Sequence, residues 1–83
     1  MIRLYGDLGN LDKKGRAVLV EAEYDARREG VELTPGLRVL VWDGEMEAEG
    51  ILEYDEGRWC AQIEWNTAID KETGKRLPER LWK

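Results

Sequence analysis

Apolar and polar positions alternate most regularly between Gly36 and Trp65, GLRVLVWDGEMEAEGILEYDEGRWCAQIEW, and the pattern predicts three consecutive strands joined by two tight turns. Leu37 to Trp42 is a nearly unbroken apolar run, as expected of a strand central in a barrel. Asp43-Gly44 is the strongest hairpin signal in the chain. Beyond it Met46, Ala48, Gly50, Leu52 and Tyr54 share one face, and Glu45, Glu47, Glu49 and Glu53 the other. Gly50 in mid-strand predicts a bulge or a sharp bend. Asp55-Glu56-Gly57 turns the chain again. The third strand, Arg58 to Trp65, then points Trp59, Ala61, Ile63 and Trp65 inward and Cys60, Gln62 and Glu64 outward.

The flanks are less regular. Ile2 to Tyr5 reads as a short first strand, and Asp12-Lys13-Lys14-Gly15 has hairpin-turn chemistry. Across Arg16 to Tyr24, Val18, Val20, Ala22 and Tyr24 alternate with charged residues, so a strand is favoured over the thinner helical stripe of Leu19, Ala22 and Ala26. A single helical turn capped by Asp25 and stopped by Gly30 follows. Thr34-Pro35-Gly36 is a turn, and Asn66 to Ile69 reads as a short helical turn closing the barrel. The core is expected from Trp59, Ile63, Val39, Val41, Leu52 and Val20. Residues 1–70 are expected to form one domain with an N-terminal hairpin, and 71–83 a charged tail ending in Trp82, which either docks on the domain or is held out for a partner.

The spacing Gly36-x-x-Val39-x-Val41-x-x-Gly44-x-Met46-x-Ala48-x-Gly50-Ile51 resembles the KOW motif of ribosome and transcription-elongation barrels. The continuation Asp55-Glu56-Gly57-Arg58-Trp59-Cys60-Ala61 resembles the acidic turn and Trp-x-Ala strand of SH3 and Tudor barrels. More loosely, the chain is similar to short bacterial proteins built on such barrels. The resemblance implies an all-β, SH3-like small barrel of five to six strongly bent antiparallel strands, with one or two short helical turns. It departs from RNA-binding KOW barrels in carrying Glu45, Glu47 and Glu49 where bases are usual. It also lacks the aromatic segments of peptide-binding SH3 domains.

Composition narrows the chemistry. Eighty-three residues allow one domain with a small core. The chain contains no histidine and no serine, and Cys60 is its single cysteine. Serine, cysteine–histidine and zinc-hydrolase chemistries are closed by that inventory, and Cys60 reads as a buried apolar filler. The ladder Asp43, Glu45, Glu47, Glu49 spaces its oxygens like a calcium loop, but Ala48 and Tyr54 stand where that loop needs Gly and Glu. It reads as a solvated outer face. No enzyme activity, metal or cofactor is expected.

Residues 36–65 carry eight acids and two bases, within a chain of net charge −5. Tyr5, Trp42 and Tyr54, bordered by Asp43 and Asp55, either plug the barrel ends or form a rim that grips a basic protein or peptide. The alternative is an RNA- or ribosome-associated module with phosphate contacts from Lys13, Lys14, Arg16, Arg27 and Arg28. No apolar run matches a signal peptide or approaches the ~20 residues of a membrane span. A cytoplasmic monomer is the expectation.

Overall fold

The computed structural model describes residues 1–76; Trp82, Arg80 and Lys83 of the predicted tail lie outside them. Six strands form one mixed sheet curled into a half-barrel, with one helix and one 3-10 turn. The strands are β1 (Arg3–Tyr5), β2 (Arg16–Val18), β3 (Arg38–Trp42), β4 (Met46–Asp55), β5 (Arg58–Ile63) and β6 (Ile69–Asp70). Helix α1 spans Ala22–Glu29 and the 3-10 turn Trp65–Thr67. The sheet order is β1-β3-β4-β5-β2, with β6 paired to the start of β4.

The β3–β4–β5 meander lies where the alternation places it. Asp43 Oδ1 accepts the N–H groups of Glu45 and Met46 and so builds the first turn. The second is a two-residue loop of Glu56 (φ 54°) and Gly57 (φ 78°) between paired Asp55 and Arg58, the twist that suits a tight hairpin. Gly50 forms no bulge. It pairs with Val39 on one side and Ile63 on the other in unbroken register. An added Cβ there would stand 2.9 Å from the Gln62 carbonyl oxygen, so the glycine permits close approach of two backbones.

Three expectations are corrected. The strand over Arg16 to Tyr24 ends at Val18, and residues 22–29 are helical. Ala22, Asp25 and Ala26 bury one face of α1 at i, i+3 and i+4, which leaves Val20 outside at 80% exposure instead of in the core. Asp25 is not a cap: it sits within the helix, and its Oδ2 accepts the Tyr5 N–H at 3.1 Å, covering the outer edge of β1. Gly30 does end the helix, in the left-handed region, with Val31 N–H returning to Ala26 O and Gly30 N–H to Arg27 O. Finally, β1 and β2 do not pair as a hairpin; β1 runs parallel to β3, and β2 antiparallel to β5.

The core holds Val39, Val41, Leu52 and Ile63 as expected, joined by Leu4, Leu8, Leu19 and several alanines. Trp59 is only half-buried at its margin. Five of the core residues, Ala17, Ala22, Ala48, Ala61 and Ala68, are alanines, and no aromatic ring is among the fully buried side chains. Among the described residues no helix is long and apolar enough to cross a membrane, and no group of three or more acids and Cys60 could hold a metal ion.

Candidate functional site

Strand β4 outruns the core. Its inward face runs Ala48, Gly50, Leu52, and the next position, Tyr54, projects past the barrel end at 52% exposure. Register sets Tyr54 opposite Trp59, and the two rings meet edge to face at 4.8 Å. The chain leaving β2 passes along the same end: Leu19 turns inward and donates its N–H to Trp59 O, Val20 turns outward, and α1 begins. Trp59 Nε1 donates to Glu23 Oε2 at 3.4 Å, tying the first turn of α1 to β5. Tyr24, 60% exposed, stands on the solvent side of that turn. Val20, Glu21, Glu23, Tyr24, Tyr54 and Trp59, together with Arg58, thus line one open groove of about 490 Å³. A second hollow of about 320 Å³ on the other side of Glu23 and Trp59 is lined by Ala26, Arg27, Val31 and Leu33. Four exposed large hydrophobic residues, Val20, Tyr24, Val31 and Tyr54, gather around this one end.

A larger cleft of about 740 Å³ adjoins the groove, sharing Val18, Val20 and Arg58 with it. It brings together Tyr5, Lys13, Lys14 and Arg16. Its floor is a closed charge network. Arg16, almost fully buried on the outer face of the sheet, donates to Asp12, Glu53 and Asp55 at 2.8–3.1 Å. Lys14 Nζ donates to Asp55 at 3.0 Å. Hydrogen bonds from the Arg16 backbone and guanidinium hold the Asp12 carboxyl below its ordinary range, against the opposing cost of burial. Those from Lys14 and Arg16 do the same for Asp55. The three carboxylates raise Arg16 further, Glu53 most. Cys60 does lie on the outward parity, yet it is fully buried there, and burial pushes its thiol up.

The rim residues expected from sequence divide between the two ends of β4. Tyr5 meets Trp42 edge to face at 5.3 Å, and Arg3 and Lys71 stand over the Trp42 ring at 5.1 and 4.9 Å. Tyr54 instead meets Trp59, seven positions along β4 from Glu47, the partner of Trp42. Asp43 is engaged in its own turn and Asp55 in the Arg16 network. The cations are similarly divided. Lys13, Lys14 and Arg16 line the large cleft, whereas Arg27 lies beside Trp59 and Arg28 pairs with Asp25 and stands over the Tyr24 ring at 5.6 Å.

The alternation of the sequence places Val20, Tyr24 and Trp59 on strand faces or in the core. The helical stripe of Leu19, Ala22 and Ala26 carries the signal for two of them, turning Val20 and Tyr24 outward once Ala22 and Ala26 turn in. In comparison with known proteins, the chain matches no family model, no curated protein sequence and no solved structure.

Proposed function

We propose that the chain is an SH3-like, non-enzymatic interaction domain of the KOW/Tudor type that binds a protein or peptide partner through the face of Val20, Tyr24, Tyr54 and Trp59. The observation that carries this reading is the gathering of exposed apolar and aromatic side chains at one end of the half-barrel, beside a groove wide enough for a side chain. Scattered exposed hydrophobics are ordinary, whereas a contiguous set flanked by charged residues marks an interaction surface. Tyrosine and tryptophan add contact area at low entropic cost.

The RNA reading has less support. Arg16 and Lys14 already carry carboxylate partners, and Arg28 lies on Tyr24. A phosphate contact would have to break those pairs.

The test is a comparison of proteins retained by tagged wild-type chain and by a Val20→Asp/Tyr54→Asp variant in cells of origin, with Lys75→Asp as control. A partner kept by wild type and control but lost by the double variant supports the face. A set of retained proteins indifferent to the double variant contradicts it.

A further inference from the structure

We infer, building on the docking reading above, that the groove seats a lysine or arginine side chain of the partner between the Tyr54–Trp59 ring pair and the carboxylates of Glu23 and Glu21. The chain itself shows what its aromatic faces accept. Trp42 carries Arg3 and Lys71, and Tyr24 carries Arg28, each cation within 6 Å of the ring centre. Among the described residues, Tyr54 and Trp59 have no such cation, although Tyr54 is half exposed. An acid is already fixed beside them. Trp59 Nε1 donates to one oxygen of Glu23, and the Glu23 carboxylate is in no ion pair among the described residues, with Arg27 lining the hollow on its other side. Glu21 adds a second carboxylate in the same groove; it precedes α1 without capping it through its side chain. Ring faces and carboxylates together complement a cation, and the neighbouring Val20 complements the alkyl stem that Lys and Arg both carry.

Arg58 lines this groove as well, but it stands over neither ring and forms no ion pair among the described residues. It is a like charge that an incoming cation must meet. Removing it should therefore strengthen binding, an effect opposite in sign to the loss of Glu23.

The test is an NMR titration of the labelled chain at low salt with the peptide Ac-Ala-Leu-Arg-Leu-Ala-amide. The same peptide with citrulline in place of Arg keeps shape and loses charge. The Trp59 indole N–H and the Tyr54 ring should shift with the Arg peptide and respond at least about fivefold more weakly to the citrulline peptide. Glu23→Gln should weaken the Arg peptide by a similar factor, and Arg58→Ala should tighten it. Each variant's dispersed amide spectrum verifies its fold. Equal shifts from both peptides, or weaker binding in Arg58→Ala, would overturn cation recognition and leave the docking face standing. No shift at Trp59 or Tyr54 with either peptide also overturns it, while the docking face is judged separately by the double-aspartate comparison.

Discussion

Gly50→Ala probes the close approach of the β4 and β5 backbones. The new Cβ would stand 2.9 Å from Gln62 O, 3.2 Å from Ile63 Cδ1 and 3.4 Å from Ala61 Cβ. The first neighbour is backbone inside the β4–β5 ladder, so no rotamer change relieves it. Overpacking of this kind costs about 1–3 kcal/mol. Against it, replacing glycine lowers the entropy of the unfolded chain, a gain of about 0.4–1 kcal/mol where the native conformation tolerates a side chain. The steric effect wins, and a net loss of about 1–2 kcal/mol follows. In a domain this small each kcal/mol moves Tm by about 4–8 °C, so Gly50→Ala should melt roughly 5–15 °C lower. Gly50→Val adds two more methyl groups toward the same neighbours and should lose more. Gly9→Ala is the control: its Cβ meets only Asp7 Oδ1, at 3.4 Å, and its φ lies outside the left-handed region. It should be neutral or slightly stabilising. Urea unfolding followed by tryptophan fluorescence, with calorimetry for Tm, measures all three. Equal stabilities for Gly50→Ala and Gly9→Ala would refute the packing argument.

Other consequences are as concrete. Asp25→Ala leaves the Tyr5 N–H without its acceptor at the β1 edge; a loss of about 1–3 kcal/mol is expected, with Asn recovering part of it through its amide oxygen, both read from urea midpoints. Glu56 occupies the left-handed region at φ 54°, so Glu56→Asn should stabilise by about 0.5–1 kcal/mol, and a lower melting temperature would contradict the turn geometry. Asp12 and Asp55 have folded-state pKa values below the unfolded value near 4. Their contribution is therefore complete above about pH 4 and is lost as pH falls through the lowered values, and Arg16→Met should flatten that acid limb in pH-dependent melting.

The meander was legible because its signals are local. Asp43-Gly44 and Glu56-Gly57 fix the turns, and strict alternation from Met46 to Leu52 fixes the buried face. The passage from β2 into α1 was not, because Val18, Val20, Ala22 and Tyr24 satisfy period two as well as a helix satisfies its own period. What decides between them is tertiary: Asp25 is wanted inside to cover the β1 edge, and Ala22 and Ala26 are small enough to pack there. The parallel β1–β3 pairing joins segments more than thirty residues apart and leaves no local trace. The functional face shows the same division. Tyr54 is legible from its place beside a turn, but the Glu23–Trp59 bond spans thirty-six positions. Trp42 and Tyr54 both lie at strand ends beside turns, but those turns stand at opposite ends of β4.

Contact between the Tyr54 face and a partner can be observed in the cell. A photo-crosslinking residue placed at position 54, and separately at exposed Lys75, would report contact in the cells of origin. A discrete adduct from position 54, absent from position 75 and abolished by Val20→Asp, is the predicted result. No adduct at position 54, or the same adducts from both positions, would contradict it.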